Sequence, residues 1–254
     1  MTVTIPPALA RALRNARRVA ILTGAGVSAE SGVPTFRDAL TGLWENFDPL
    51  DLATPSAFHR NPKLVWDWYA ARRAQVRAVA PNPGHFAAVR IEQRVPAFLL
   101  ATQNVDGLHA RAGSRRLVEL HGNIARVRCS REPGRIVEAW DEPAGAEPPR
   151  CPSCGAWLRP DVVWFEESLP VDALAAAEDA ARACDLLLVV GTSGEVYPAA
   201  ALPQDAKAAG ATIVEVNPSA TPLSGLADHV LRAPSGVALP ALVRAAWGDD
   251  AMER

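Results

Sequence analysis

The feature that most constrains the fold is a glycine-rich turn that follows a short apolar run near the N-terminus. Residues 18–22, Arg-Val-Ala-Ile-Leu, are typical of a parallel strand that is buried on both faces. Gly24-Ala25-Gly26, with Ala29, then fits the Gly-x-Gly-x-x-Gly/Ala pattern, in which backbone N–H groups approach a pyrophosphate. The sequence therefore predicts a nucleotide-binding turn at the carboxyl end of the first strand.

The residues after this turn do not continue as a long crossover helix. Gly32, Val33 and Pro34 end the predicted helix after about one and a half turns, since proline removes a donor and disfavours helix at the residue before it. A polar loop ending in Phe36-Arg37-Asp38 follows. A loop that closes over a cofactor suits an enzyme that consumes the cofactor better than one that only transfers hydride.

Apolar runs alternate with polar turns and alanine-rich stretches along the rest of the chain. Strand-like runs occupy residues 97–101, 186–190 and 212–216, and helical stretches occupy residues 172–183 and 199–209. This alternation predicts an α/β fold with a doubly wound, mostly parallel Rossmann-like sheet. Ligands of such a sheet bind at the carboxyl ends of its strands, and the polar turns stand there, at residues 102–106, 191–193 and 217–218.

Two segments break the alternation and predict a smaller inserted lobe. Residues 40–84 are helical and aromatic, and residues 126–160 contain proline and cysteine with few apolar runs. Within the second segment, the prolines of residues 132–150 predict an irregular loop. We therefore predict a Rossmann-like nucleotide-binding domain formed by residues 1–39, 85–125 and 161–254, with residues 40–84 and 126–160 forming the lobe.

Composition narrows the class of protein. Of 254 residues, 49% are hydrophobic, which is enough for a large core, and the net charge of −2 argues against a general nucleic-acid-binding surface. The first residues do not resemble a secretory signal, and no apolar run is long enough to span a membrane. Four cysteines in so long a chain favour metal binding or free thiols over a disulfide framework. We therefore expect a cytoplasmic protein without nucleic-acid or membrane partners.

Two polar motifs supply candidate catalytic groups. Residues 102–109, Thr-Gln-Asn-Val-Asp-Gly-Leu-His, follow a predicted strand, so their amide and carboxylate groups either bind a ribose and a carboxamide or cap the next helix. His121 lies in Leu-His-Gly, where the sheet domain meets the inserted lobe. Imidazole titrates near neutral pH, so His121 is the candidate general base, with a purely structural histidine as the alternative. His85 is predicted to begin a helix, and His59, His109 and His229 have no comparable setting.

The cysteines form an incomplete zinc-binding pattern. Cys151 and Cys154 are spaced as one half of a zinc knuckle, and Cys129 is the remaining candidate ligand. Glu132 stands where the partner of Cys129 is expected, and Cys184 enters a predicted core strand as a buried small side chain. Three interpretations remain open: a structural zinc site completed by Glu132 or water, a weak site, or a lobe that folds without metal.

Tyr69 and Arg72 share one face of a predicted helix, at i,i+3 spacing within Trp-Asp-Trp-Tyr-Ala-Ala-Arg-Arg. One interpretation is an amphipathic helix with an aromatic core stripe and solvated arginines. The other is that a phenol and a planar guanidinium bind a carboxylate together.

These motifs resemble those of the sirtuins, the NAD-dependent protein-lysine deacylases. The similarity lies in Gly-Ala-Gly-x-Ser-Ala-Glu-Ser-Gly-x-Pro-x-Phe-Arg-Asp, in the 102–109 segment and in Leu-His-Gly, and it spans roughly residues 18–240 in the same order. The resemblance implies NAD as a consumed co-substrate, with any zinc in a structural role. The cofactor-binding residues that it implies are Gly24, Ala25, Gly26, Ser28, Glu30, Phe36, Arg37, Trp44, Gln103, Asn104, Asp106, Gly191, Thr192, Ser193, Asn217 and Val237.

The resemblance also implies a substrate. Residues 159–167 are similar to the sirtuin segment that pairs with an extended acylated peptide, which makes Val163, Trp164, Phe165 and Glu166 substrate-binding residues. Sirtuins usually carry glycine where this chain has Glu166, and a carboxylate there would favour basic sequence around the target lysine. Tyr-x-x-Arg at residues 69–72 is similar to the pocket of sirtuins that remove succinyl and malonyl groups.

The implied mechanism assigns the remaining roles. Nicotinamide leaves with the help of Asn104 and Asp106, and His121 then acts as general base on a ribose hydroxyl, which gives free lysine and O-acyl-ADP-ribose. We therefore expect removal of succinyl, malonyl and acetyl groups from protein lysine. The alternatives are mono-ADP-ribosyl transfer to protein, a hydride-transfer oxidoreductase, and a non-catalytic NAD-sensing or zinc-bearing binding module.

Overall fold

The computed structural model describes residues 3–34, 48–132, 134–140 and 147–252. Its strands, in chain order, are β1 (Arg18–Thr23), β2 (Ala97–Thr102), β3 (Leu117–Glu119), β4 (Gly122–Cys129), β5 (Ile136–Val137), β6 (Leu158–Val162), β7 (Leu186–Val190), β8 (Thr212–Val216) and β9 (His229–Leu231). Its α-helices are α1 (Pro7–Asn15), α2 (Gly26–Ala29), α3 (Pro55–Arg60), α4 (Pro62–Ala78), α5 (Pro83–Arg94), α6 (Leu108–Ala112), α7 (Val171–Ala183), α8 (Leu202–Ala208) and α9 (Ser235–Trp247). Short 3₁₀ turns occupy Pro49–Asp51, Ala199–Ala201, Pro222–Gly225 and Asp249–Met252.

Six strands form one parallel sheet in the order β3-β2-β1-β7-β8-β9. This is the strand order of the dinucleotide-binding fold, in which the direction of winding reverses between the two central strands. Here that reversal falls between β1 and β7, which pair directly. The predicted α/β fold with a mostly parallel Rossmann-like sheet is confirmed.

Helices bury both faces of this sheet, which explains why its central strands are apolar at successive positions. Val19 and Ile21 of β1 belong to a core formed with α1, α5 and α9. Ala20 and Leu22 belong to a second core formed with α7 and α8. Successive strand residues point to opposite faces, so one short strand supplies both cores. None of the helices in the described ranges has the length and hydropathy of a membrane-spanning segment.

A second, antiparallel sheet has the order β5-β4-β6. Residues of α3 and α4 pack with it in a separate core that contains Trp68, Ile124 and Trp164. The stretch 132–150 is not irregular throughout, because β5 lies within it and pairs with β4. Strands β4 and β6 cross the predicted limits of the lobe at residues 125/126 and 160/161, so the division into two domains stays a prediction.

Candidate active site

The glycine turn lies at the point where the strand order reverses. The Gly24 N–H donates to the Val190 carbonyl at 3.0 Å, and the Gly26 N–H donates to the Gly191 carbonyl at 2.8 Å. A Cβ atom at Gly26 would stand 2.8 Å from the Gly191 backbone, and one at Gly24 would stand 2.8 Å from the Thr192 side chain. The turns after β1 and β7 therefore pack backbone to backbone, where this fold binds its ligand.

Two amide side chains connect this point to the neighbouring strands. Gln103 follows β2 and donates from Nε2 to the Thr192 hydroxyl at 3.0 Å. Asn217 follows β8 and donates from Nδ2 to the Thr192 carbonyl at 3.1 Å. The polar turns that the sequence placed at separate strand ends are thus one hydrogen-bonded group around Thr192.

A cavity of about 470 Å³ opens beside the glycine turn. Twelve predicted site residues line it, from α2, from α4 and from segments next to strands of both sheets. They are Ala25, Ser28, Gln103, Asn104, Asp106 and His121, together with Tyr69, Arg72, Val163, Trp164, Phe165 and Glu166.

Other predicted cofactor-binding residues lie outside the cavity lining. Glu30 is engaged elsewhere, because its carboxylate accepts the Gly236 N–H at 2.7 Å and the Ser235 hydroxyl at 3.0 Å. It therefore caps the N-terminus of α9, whose first turn also holds Val237. Gly24, Gly26, Gly191, Thr192, Ser193 and Asn217 lie at the ends of the parallel strands. Phe36, Arg37 and Trp44 fall outside the described residues.

His121 lines the cavity as a neutral imidazole. Its Nδ1 lies 2.8 Å from the Gln103 carbonyl oxygen. A carbonyl only accepts, so Nδ1 carries the proton and Nε2 keeps its lone pair. Burial lowers the pKa of His121 below its ordinary value of 6.5, although the bond to Gln103 raises it in part. The side chain can therefore accept a proton near pH 7.

Ser28 is the centre of a buried hydrogen-bond network at the cavity. Its hydroxyl accepts from Asn104 Nδ2 at 3.1 Å and lies 3.4 Å from His85 Nε2. The Asn82 backbone N–H donates to His85 Nδ1 at 3.2 Å, so the proton of His85 is on Nε2 and points to Ser28. The Ser28 hydroxyl then donates its own proton to the Asp106 carboxylate. Burial raises the pKa of Asp106, and this hydrogen bond lowers it in part.

The sequence did not indicate that His85 or His109 belongs to this network. His85 occupies the third position of α5 after the Asn82 cap, as predicted, and this local role concealed its contact with Ser28. His109 Nε2 lies 3.1 Å from the Thr23 hydroxyl, and the centre of its ring lies 4.7 Å from that of His85, with the two rings tilted by 56°. In the sequence, the one signal that His109 lies near the site is its position at the end of the 102–109 segment.

Tyr69 and Arg72 stand one turn apart on α4 and share the cavity with His121. Tyr69 is also part of the aromatic core, with 2% of its surface exposed. It therefore belongs both to the predicted aromatic core stripe of the helix and to the cavity lining. Trp164 Nε1 donates to the Tyr69 hydroxyl oxygen at 3.0 Å. Indole nitrogen only donates, so the phenol keeps its own proton for another acceptor. Burial raises the pKa of Tyr69 to about 12, which keeps the phenol neutral.

An ion pair fixes the position of Trp164. Arg159 donates to both carboxylate oxygens of Glu167, at 2.6 and 2.8 Å, and its guanidinium carbon lies 3.3 Å from the centre of the Trp164 ring. Glu167 also accepts the Trp164 backbone N–H at 2.9 Å. Burial raises the pKa of Glu167, but the bonds to Arg159 hold it below its ordinary value overall. A charged, two-point contact of this kind is stronger than a neutral one.

The chain matches known proteins over most of its length. The Sir2 family matches residues 24–198. An NAD-dependent protein deacylase of Ralstonia nicotianae is 56% identical over 238 residues, which cover 93% of this chain and 96% of the relative. The chain belongs to the Sir2 family. A Thermus thermophilus protein of the same name is 56% identical over 235 residues, or 89% of this chain and 90% of that relative.

Solved Sir2 structures share the fold. A Sir2 homologue in complex with NAD has a TM-score of 0.90 at 42% identity, over 96% of this chain and 95% of that one. A Sir2 complex with a p53 peptide and NAD⁺ has a TM-score of 0.77 at 28% identity, over 92% of this chain and 95% of that one.

The Sir2 site has the features that a bound dinucleotide needs. Ala25 belongs both to the glycine turn and to the cavity lining, so the two are continuous. Glycine is required at positions 24 and 26, because a Cβ atom at either would meet the turn after β7. Asn104 and Asp106, at 8% and 6% exposure, present buried polar groups to the cavity. These residues fit NAD.

The three cysteines of the Sir2 chain that were predicted as metal ligands form a cluster. The sulfur atoms of Cys129, Cys151 and Cys154 all lie within 4.8 Å of one another. Sulfurs of a tetrahedral zinc site are about 3.8 Å apart, so the cluster fits three ligand positions. Glu132 is not in the cluster, because its carboxylate accepts from Arg135 Nε at 2.7 Å. Water therefore fits the fourth position better than Glu132 does. Cys184 is a buried core residue, as predicted.

Proposed function

We propose that this chain is an NAD-dependent protein-lysine deacylase that removes succinyl and malonyl groups as well as acetyl groups. Its relatives are named NAD-dependent protein deacylases, and a Sir2 homologue binds NAD in the same fold. The chain is therefore a sirtuin enzyme that uses NAD as a co-substrate. The names of the relatives state neither the acyl specificity nor the roles of individual residues, so these are part of the proposal.

One observation carries the acyl specificity: Tyr69 and Arg72 line the same cavity as His121. A succinyl or malonyl group ends in a carboxylate, whereas an acetyl group ends in a methyl group. The Tyr69 hydroxyl has a proton to donate, and the Arg72 guanidinium is always charged. A carboxylate can accept hydrogen bonds from both groups and a methyl group cannot, so the pocket favours acyl groups that end in a carboxylate.

The remaining roles follow from how each side chain is held. NAD supplies a ribose that gives up nicotinamide and receives the acyl group. Asn104 and Asp106 are fixed through Ser28 and bind the nicotinamide end. His121 Nε2 takes the proton of a ribose hydroxyl, while the Gln103 carbonyl holds Nδ1 and so the tautomer.

The substrate is an acylated protein segment bound in extended form along residues 163–166. Within this segment the Val163 N–H already donates to the His121 carbonyl at 2.9 Å, and the Phe165 N–H to the Ala53 carbonyl at 3.0 Å. The Trp164 N–H and carbonyl are bonded to Glu167, so a substrate strand pairs with backbone groups that these bonds leave, among them those of Glu166. The bond from Val163 also fixes the segment against His121, so a peptide bound along the segment has a defined position relative to the base.

The cysteine cluster holds zinc in a structural role. Cys129 ends β4 and pairs with Leu158 of β6, so a metal there connects that strand pair to the Cys151–Cys154 turn. None of the three cysteines lines the cavity. The cluster therefore supports the lobe and takes no part in the chemistry.

Matched acetyl- and succinyl-lysine peptides, incubated with the protein and NAD and followed by mass spectrometry, test this function. We expect faster loss of succinyl than of acetyl, with nicotinamide and O-succinyl-ADP-ribose as products. Loss of acetyl alone would keep the deacylase and reject the acyl pocket. ADP-ribose attached to protein would instead support mono-ADP-ribosyl transfer, and no turnover with NAD bound would support a non-catalytic NAD-sensing module.

A further inference from the structure

Glu166 has a backbone conformation that favours glycine. Among the described residues it is the one non-glycine residue with a positive φ, at 71°. A side chain in this left-handed region crowds its own backbone, and such strain persists only where neighbouring contacts impose it.

The contacts on both sides of Glu166 do impose it. The Phe165 N–H donates to the Ala53 carbonyl at 3.0 Å, and the Glu167 N–H donates to the Trp164 carbonyl at 3.1 Å. The Glu167 carboxylate is bonded twice to Arg159. Residue 166 is therefore the tip of a tight turn whose two ends are fixed. Glu166 is also one of the residues that line the cavity.

In the part of the chain that the structure describes, the Glu166 carboxylate makes no hydrogen bond or ion pair that offsets this strain. It is exposed, and no hydrogen bond or ion pair joins it to any described residue. The adjacent carboxylate is a direct contrast, since Glu167 pairs with Arg159 and, at 3.1 Å, with Arg128. Within the described ranges the strain at Glu166 is thus retained without a partner that its charge stabilises, and a role toward a ligand explains it.

The surroundings of Glu166 specify the chemistry of that ligand. Three large apolar side chains line the same cavity while remaining exposed: Phe165 at 50%, Val196 at 48% and Tyr197 at 71%. A lysine or arginine side chain combines an apolar stem with a cationic head, and so matches an apolar rim that carries one unpaired carboxylate. The acyl-lysine itself has no charge on its nitrogen, so the cation must come from a neighbouring residue of the substrate.

We propose that Glu166 binds a lysine or arginine side chain next to the acyl-lysine, so that the enzyme selects basic target sequences. This rests on the proposed deacylase function, but not on the acyl pocket, because Tyr69 and Arg72 contact the acyl end. The charge selection depends on the carboxylate at position 166 itself.

Acetyl-lysine peptides that differ only in the flanking residues, Arg, Ala or Glu, test the proposal. We expect kcat/KM to be about fivefold to tenfold higher for the Arg-flanked peptide than for the Glu-flanked one, because an exposed ion pair is weak but the Glu peptide also meets repulsion. Added salt at 0.5 M should shrink this ratio, since it screens exposed charges.

Two variants separate charge from strain. Glu166→Gln keeps the size and conformation of the side chain and removes its charge, so the Arg/Glu ratio should fall to near one. Glu166→Gly also removes the strain, and should in addition raise Tm by about 2–4 °C. Glu195→Gln, which removes an exposed carboxylate from the segment before Val196, is the matched control and should keep the wild-type ratio.

The outcomes distinguish this proposal from the function on which it rests. A wild-type protein that deacetylates none of the peptides overturns the deacylase function. A wild-type protein that is active but treats Arg- and Glu-flanked peptides alike overturns only the role of Glu166. A ratio that survives Glu166→Gln assigns the selection to another group and overturns the proposal as well.

Discussion

At the scale of single residues, His121 can act as a base only while its imidazole is neutral. Burial lowers its pKa below 6.5, so the neutral form persists as the pH falls and is lost only below that value. We expect kcat/KM for an acetyl peptide to stay constant from pH 8 down to pH 6.5, and to fall about tenfold per pH unit only below the lowered pKa of His121. His121→Ala should abolish both deacetylation and desuccinylation. An acid limb above pH 7, or turnover by His121→Ala, would contradict the assignment.

Arg72 should matter for one class of acyl group and not for the other. Arg72→Met retains an apolar stem beside the Trp68 ring, which the guanidinium contacts at 4.8 Å, but removes the charge. Loss of a charged hydrogen bond corresponds to about a 30- to 100-fold decrease in kcat/KM for succinyl peptides. Deacetylation should change by only a few fold. Equal losses on the two peptides would reject the pocket.

Trp164 should act through Tyr69. Trp164→Phe keeps an aromatic ring below Arg159 and removes the indole N–H that orients the phenol. We expect the succinyl-to-acetyl ratio of kcat/KM to fall about threefold to tenfold, as for the loss of one hydrogen bond. In the background of Tyr69→Phe the same change should leave the ratio unaltered. Additive effects in this cycle would show that Trp164 acts independently.

At the scale of elements, the lobe around β4 and β6 has a small core of its own. The three clustered cysteines are part of that core, together with Trp66, Val127, Val137 and Leu158. Without the three cysteines this core has only a few apolar side chains. Small cores are usually stabilised by a crosslink such as a bound metal. We therefore expect metal in the cluster to stabilise this sheet.

Removal of zinc should unfold the lobe before the larger sheet. We expect elemental analysis to find about one zinc per chain, and Cys151→Ser to lose it together with several degrees of Tm. Cys184→Ser serves as the control, because it removes a thiol outside the cluster and should keep the zinc. A zinc-free protein whose Tm does not respond to chelator would show that the lobe folds without metal.

At the scale of the whole molecule, two buried histidines couple stability to pH. Burial lowers the pKa of His85 to about 4 and that of His109 to about 3. In the unfolded chain both titrate near 6.5, so below that pH the unfolded state binds more protons than the folded state. The free energy of unfolding should therefore be constant above pH 6.5 and fall toward pH 4, by up to about 1.4 kcal/mol per pH unit for each histidine.

Urea unfolding at pH 7 and pH 5 measures this effect. His109→Gln should start from a lower stability, because it disturbs a buried contact with Thr23, but should lose less stability between the two pH values. The same unfolding free energy at pH 7 and pH 5 in the wild-type protein would contradict the role of the buried histidines.

Much of the fold was predictable because its signals are local. The glycine turn, the apolar strands and the polar residues after them are each encoded within a few neighbouring positions, and parallel strands bring their carboxyl ends to one edge. Gln103, Asn104, Gly191 and Asn217 could therefore be assigned to one site from the sequence. The family resemblance rests on the same contiguous motifs, and the match over residues 24–198 confirms it.

The tertiary structure alone decided the contacts between residues that are distant along the chain. The sequence left open whether Tyr69 faces a cavity or the core, and the packing of α4 against Trp164 makes it do both. It offered Glu132 as a zinc ligand, but the carboxylate turns to Arg135 instead. A glutamate does not by itself indicate that residue 166 is left-handed, since φ there is imposed by bonds from the neighbouring residues to the rest of the fold. Local sequence patterns determine which helices and strands form and which side chains they carry. The packing of those helices and strands determines which residues each side chain contacts.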